Sequence, residues 1–200
     1  MQTFYQILAI MLSYLLGAVP FGVIFSNVFS NVDVRKVGSG NIGATNVLRA
    51  AGKTAALLTL LADALKGFLP VIVVKLLFQN DYVTVLTGAA AILGHNFPVY
   101  LKFRGGKGVA TSYGVVLAVS PLIGLIILLI WPLAAYLWRY SSLSALISIA
   151  FYPILTFATA SPASRPNELL TLFVFAIIYY RHRGNIKRIL AGTEPKIDKK

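Results

Sequence analysis

The chain has 200 residues, of which 58% are hydrophobic and 12% charged. That is about half the charged fraction of a soluble domain (~25%), so a soluble globular protein is excluded. The net charge is +12. In so apolar a chain this points to membrane topology, anionic headgroups or an anionic substrate, and nucleic acid is not expected as a partner. There is no cysteine, and the two histidines stand far apart with no acidic cluster, so no disulfide, metal or cofactor is expected.

Five apolar runs, 4–29, 55–78, 82–101, 109–138 and 143–160, are each near or above the ~20 residues that cross a bilayer. The first lacks a basic leader and a small-residue cleavage site, so it is expected to stay in the mature chain. A polar loop with Arg35, Lys36, Arg49 and Lys53 follows it. Further cations cluster at 102–107, at Arg139 and along 181–200, and these four groups hold 15 of the 18 Lys and Arg. The positive-inside rule places all four groups on the cytoplasmic side. That parity requires the run 109–138 to break, and Ser120-Pro121 is the natural point, because proline disfavours helix continuation.

The expected fold is all-α and polytopic, with seven transmembrane or partly spanning segments near 4–26, 55–77, 83–99, 109–119, 122–138, 144–160 and 166–182. The N-terminus is then outside and the C-terminus cytoplasmic. External connections are NDY, SP and SPASRP. Segment 109–119, at ~1.5 Å per residue, reaches only about half of a ~30 Å core. It is expected to follow a loop that dips inward, and such backbone survives only against protein or a wet cavity. Residues 1–192 read as one domain and 193–200 as a short polar tail. The last residues, EPKIDKK, read as disordered.

The unusual polar residues gather on the inferred cytoplasmic side. GSGNIGATNVLR supplies Ser39, Gly40, Asn41, Thr45, Asn46 and Arg49. Glycine lets backbone N–H groups face an anion, and arginine adds a planar charged fork. A plain turn with helix-packing glycines is the other reading. GHNFPVYLKFRGGKG sets Lys107 in a flexible frame with Gly106, where it can approach a phosphate, while Lys102 and Arg104 read as snorkelling to lipid headgroups. His95 and Asn96, in the same stretch, read as structural or pocket-shaping. Asp63 and Lys66 share a helix face at a depth where charge is costly, so they are expected to pair, as a helix anchor first and a pocket-shaping pair second. Near the end of the last segment come Arg181, His182 and Asn185. Ser142 would begin a helix, as its cap or as a donor to an anion.

Together, GSGNIGATNVLR, DALKG at 63–67, GHNFPVYLKFRGGKGVAT and YRHRGNIKR with GTE resemble the bacterial acyl-phosphate:glycerol-3-phosphate acyltransferases, the PlsY family. The resemblance runs in order over nearly the whole chain. It implies an inner-membrane enzyme that moves a fatty acyl group from acyl phosphate to the 1-hydroxyl of glycerol 3-phosphate, giving lysophosphatidic acid and phosphate. It also implies a cytoplasmic active site, contact with membrane lipids and a functional link to the enzyme that makes acyl phosphate. Ser39, Asn41, Asn46, Arg49, Lys107, His182 and Asn185 match the family's phosphate-binding and active-site positions. After Ser142 and Leu143, the family's second serine is replaced by Ala145, with Ser144 beside it. No HxxxxD box starts at His95 or His182, so the donor's own phosphate oxygen is the expected proton acceptor, with His182 as the backup base. From the charges alone, a transporter of an organic phosphate is the alternative.

Overall fold

The computed structural model describes residues 1–160 and 165–197, which form nine α-helices and two short 3₁₀ turns with no strand. The helices are α1 (Gln2–Gly17), α2 (Phe21–Ser30), α3 (Ala44–Phe78), α4 (Asp81–Asn96), α5 (Val109–Val119), α6 (Pro121–Trp138), α7 (Ser141–Ala158), α8 (Arg165–Arg181) and α9 (Arg183–Leu190). Residues 2–30, α3, α6 and α7 are long and apolar enough to cross a membrane. Counting α1–α2 as one unit and leaving out the short, basic α9, the helical segments among the described residues number seven. Large apolar side chains such as Leu61, Leu76, Leu122 and Leu129 lie on the outside, over far more surface than a water-soluble monomer leaves bare. The break at Ser120-Pro121 falls where the parity argument puts it.

Three boundaries differ from the sequence reading. The first segment is two helices, because Pro20 has no N–H and biases Val19 out of the helical region. The Val19 carbonyl accepts from the Lys66 ammonium at 2.8 Å, so the break carries its own partner. The second segment starts at Ala44 and not near 55; Gly52, at φ +85°, kinks it and sets a two-turn helix before the long one. Finally, part of the stretch read as disordered is docked. Ile197 N–H donates to the Arg139 carbonyl at 2.8 Å, and Glu194 enters the site described below. Residues 161–164, within the SPASRP connection, and 198–200 lie outside the described residues.

The core centres on α5, buried along most of its length by α3, α4 and α6. Val71, Ile92, Val115, Val116, Ile149, Tyr152, Val174 and Ile178 pack there. A helix this short ends inside the protein, where orphan carbonyls are costly. Lys75 of α3 meets that need, its ammonium donating to the carbonyls of Ala118 and Val119 at 3.2 Å each. This places a cation at the negative end of the helix dipole. Helix α1 meets α4 through glycines, as is usual where helices pack in lipid. A Cβ on Gly17 would lie 2.2 Å from the Ala91 carbonyl oxygen, and one on Gly94 would lie 2.2 Å from that of Tyr14. Gly94→Leu is therefore expected to lower stability by about 1–3 kcal/mol, read as a lower thermal midpoint in detergent. Gly184→Ala, whose Cβ meets only the end of Arg188 at 3.6 Å, should leave the midpoint within error. Equal midpoints for both would refute the close-packing account.

Candidate active site

A cavity of about 360 Å³ opens between α3, α6, α7, the 105–108 loop and the C-terminal segment. Arg49, Lys107 and His182, from three separate stretches, all line it, together with Ser39, Asn41, Thr45, Ser142 and Asn185.

On α3, Thr45 and Arg49 are one helical turn apart and face the cavity. Thr45 Oγ1 is 2.9 Å from Ser141 Oγ, tying α3 to α7. The Arg49 guanidinium donates through Nη2 to the Lys196 carbonyl at 3.0 Å, while its buried Nε has no hydrogen-bond partner among the described residues. Asn46 does different work. Its Nδ2 donates to the carbonyls of Val34, Val37 and Asn41, and its Oδ1 accepts the Ser39 N–H. With both ends spent, Asn46 is the clamp that shapes the loop and has nothing left for a phosphate. Gly40 also differs from the sequence reading. Its N–H donates to the Val37 carbonyl, and it lines a second cavity on the other side of the loop.

The 105–108 backbone is seated on His95 and Asn96. Gly106 N–H donates to the His95 carbonyl at 3.1 Å, and a Cβ there would fall 2.1 Å from His95 Nε2. Gly106 is thus a packing glycine, and it contributes no free N–H to an anion. Arg181 holds the same backbone from outside, donating to the carbonyls of Gly105 and Gly106 at 2.8 and 3.0 Å. This frame presents Lys107 to the cavity. Burial lowers the Lys107 pKa to about 8; Glu194 opposes the shift, and Arg188, Arg181 and Arg49 add to it.

His182 sits at the junction of α8 and α9 and is 2% exposed. Its Nδ1 lies 2.8 Å from the Ile178 carbonyl oxygen, so the neutral ring donates there and keeps the Nε2 lone pair free. Asn185 Nδ2 and Ser142 Oγ both donate to Glu194 Oε1 at 2.6 Å, and Arg188 Nε donates to Oε2 at 2.7 Å. Ser142 is therefore no helix cap; the cap position of α7 is Tyr140. Burial pushes the Glu194 carboxyl up, but the hydrogen bonds from Ser142, Asn185 and Arg188 outweigh it and hold the group below its ordinary range. Ser144 does not replace the serine absent at 145: its hydroxyl donates to the Tyr140 carbonyl, and Ala145 lines the cavity.

Deeper in, Lys66 Nζ is 2.7 Å from Asp63 Oδ1, with side chains 1% and 3% exposed, and His95 Nδ1 is 3.6 Å from the same oxygen. Asp63 and His95 reach the cavity wall, while Lys66 and Asn96 stay behind it. Another part of the wall is apolar: Leu48, Leu57, Leu60, Leu128 and Trp131. Leu57 and Leu60 are about half exposed on the outer surface of the bundle, so this end opens laterally. One cavity thus joins a cationic, donor-rich end to an apolar slot. Among the described residues no group of three or more His, Asp and Glu could hold a metal.

Glu194, Arg188 and Ser141 were not among the residues singled out in the sequence. The readable signal for Glu194 is the GTE triplet within the last basic cluster, in a chain with only six carboxylates.

Residues 7–192 match the glycerol-3-phosphate acyltransferase family model. The glycerol-3-phosphate acyltransferase of Dinoroseobacter shibae is 50% identical over 94% of this chain and 91% of its own length. That of Agrobacterium fabrum is 45% identical over 96% and 92%. The crystal structure of PlsY (YgiH), an integral membrane glycerol 3-phosphate acyltransferase, in its glycerol 3-phosphate form superposes with a TM-score of 0.91 at 40% identity, covering 96% of this chain and 95% of that one. Its lysophosphatidic acid form gives 0.89 at 39% identity over the same shares. These relatives lend no support to an organic-phosphate transporter. With the family's sequence pattern, its helical fold and a cavity that joins cations to an apolar slot, the chain belongs to the glycerol-3-phosphate acyltransferase family.

Proposed function

We propose that this protein transfers a fatty acyl group from acyl phosphate to the 1-hydroxyl of glycerol 3-phosphate, releasing lysophosphatidic acid and inorganic phosphate. The observation that carries this reading is the single cavity in which Arg49, Lys107 and Arg188 face an apolar slot open to the side of the bundle. Both substrates bring phosphate to the cations, and the acyl chain of the donor fills the slot. Ser39, Asn41 and Thr45 add neutral donors.

The donor is already activated, since phosphate is a good leaving group. Holding the two substrates in register supplies about 7–11 kcal/mol of the barrier. Lys107, beside the loop backbone, is placed to stabilise charge on the carbonyl oxygen or the departing phosphate. The glycerol oxygen attacks the acyl carbon, the bond from that carbon to the phosphate oxygen breaks, and the hydroxyl proton goes to a donor phosphate oxygen. Glu194 is a poor base for this proton because three donors hold it ionised. Asp63 is engaged by Lys66. His182, with Nε2 free, orients the hydroxyl and is the remaining protein base.

The basic clusters support a cytoplasmic site in a bacterial inner membrane, with the N-terminus outside and the C-terminus inside. The reaction class that must supply the substrate is one that phosphorylates a fatty carboxylate or phosphorolyses an activated acyl group.

The test is purified protein with palmitoyl phosphate and radiolabelled glycerol 3-phosphate, beside acyl-CoA and acyl-carrier-protein donors. Labelled lysophosphatidic acid is expected with the acyl phosphate alone. Equal turnover with the thioesters would overturn the donor assignment. His182→Asn separates the proton routes: substantial residual turnover favours the phosphate oxygen, and loss of turnover with both substrates still bound favours the histidine.

The charge on Lys107 gives a pH signature. Binding requires the ammonium, and a bound phosphate dianion raises its pKa above the free value of about 8. Affinity for glycerol 3-phosphate should therefore be flat between about pH 7, where the phosphate is a dianion, and that pH, and weaken above it by up to about tenfold per pH unit. Binding near pH 8.5 should take up a fraction of a proton, read by calorimetry in buffers of different ionisation enthalpy. Lys107→Arg, which stays charged, should abolish that uptake. Uptake unchanged in Lys107→Arg would remove Lys107 from this role.

A further inference from the structure

A second cavity, of about 940 Å³, lies between the 33–42 and 100–105 loops and shares no lining residue with the first. Five cations border it, Arg35, Lys36, Lys102, Arg104 and Arg181, against one carboxylate, Asp33. Arg35 is neutralised by that carboxylate at 2.9 Å. The Arg181 guanidinium is engaged with the Gly105 and Gly106 carbonyls and stacks on Phe97, its centre 5.3 Å from that ring's centroid. Lys36, Lys102 and Arg104 make no ion pair among the described residues. Three exposed cations thus converge on a concave surface built by two loops. A flank that merely fixes topology needs the charge but not the concavity.

The rim of this cavity is aromatic. Tyr100 and Phe103 line it and are 55% and 60% exposed, with Val99 beside them at 42%. Lys102 and Phe103 both have positive φ, 52° and 62°, so the turn that presents them is held in a region bulky residues avoid. Exposed aromatic side chains next to Lys and Arg are the pattern of a segment seated at the headgroup level of a bilayer. A soluble phosphate would use the cations and leave the aromatics in water. A lipid uses both.

We propose that this cavity binds the phosphate of an anionic phospholipid of the surrounding leaflet, with Lys36, Lys102 and Arg104 on the phosphate and the acyl chains running past Val99, Tyr100 and Phe103. The proposal does not rest on the acyl-transfer reading, because the two cavities are separate. It does make the two loops that frame the catalytic cavity, 38–43 and 105–108, continuous with a lipid-filled one.

The test is native mass spectrometry of the delipidated full chain titrated with phosphatidylglycerol or phosphatidylcholine, with saturating glycerol 3-phosphate present to fill the catalytic cavity. Phosphatidylglycerol carries a phosphodiester and two chains, which sets it apart from the reaction product. A single phosphatidylglycerol adduct, preferred over phosphatidylcholine, is expected for the wild type. Lys36→Gln/Lys102→Gln/Arg104→Gln should weaken it by about 100-fold, at roughly fivefold per cation. Lys53→Gln/Arg183→Gln/Lys187→Gln, equal in charge but outside the cavity, should keep it. Equal adducts in all three proteins, or equal loss in both triple variants, would overturn the proposal. So would displacement of the lipid by submillimolar inorganic phosphate, which would make this a site for a soluble anion. A thermal midpoint in the cavity triple variant within a few degrees of wild type shows that the loss is not unfolding.

Discussion

Replacing Lys107 by alanine is expected to lower kcat/KM by about 10²–10³-fold, the usual cost of removing one donor aimed at developing charge. The fold should survive. The Lys107 ammonium makes no hydrogen bond or ion pair of its own among the described residues, and its pKa is lowered by burial. Removing it takes away a desolvated charge and breaks nothing, so the thermal midpoint should stay level or rise. This separates it from Arg49→Ala, which should also lose activity but frees the segment that Arg49 holds through the Lys196 carbonyl at 3.0 Å. Lys107→Arg should be intermediate, because the charge is kept while the compact ammonium is lost. An alanine variant within tenfold of wild type would mean that the cation is ornamental to the chemistry.

Asp63→Leu is expected to destabilise the protein by about 3–5 kcal/mol, the cost of stranding a buried charge after removing its partner. The pair is 2.7 Å apart with almost no exposure. Lys66 also caps the broken first segment through the Val19 carbonyl at 2.8 Å, so a misplaced ammonium would loosen α2 against α3 as well. Asp63→Leu/Lys66→Met should recover most of the loss, because a matched apolar pair replaces a matched ionic one. Recovery should stop short of wild type, since the Val19 carbonyl loses one of its donors. Thermal unfolding of the three proteins in one detergent decides it. A single variant within about 1 kcal/mol of wild type would show that water or lipid headgroups reach the site and that the pair is not the anchor described here.

Both effects depend on how the chain is folded in space, and the two kinds of information divide cleanly along that line. The membrane class, the seven apolar segments and the Ser120-Pro121 break were readable in the linear sequence, because hydropathy, proline and charge act locally and do not need a partner to be interpreted. The pairing of Asp63 with Lys66 was readable for the same reason, being set by the spacing of one helix. The motif order was readable too, and with it Ser39, Asn41, Thr45, Arg49, Lys107, His182 and Asn185 as candidates. What each polar group has left to offer was not. Asn46, Gly40 and Gly106 sit in the right motifs, yet their hydrogen-bonding groups are consumed by Val34, Val37 and His95. Ser142 reads as a helix cap or as a donor to an anion until Glu194 arrives from more than fifty residues away to accept its hydrogen bond. Glu194 itself reads as part of a frayed tail, because composition cannot see that three donors await it. Residue types and spacing declare which groups are present. Only tertiary packing decides which donors and acceptors remain unspent, because a hydrogen bond made inside the fold is one no longer available to a ligand.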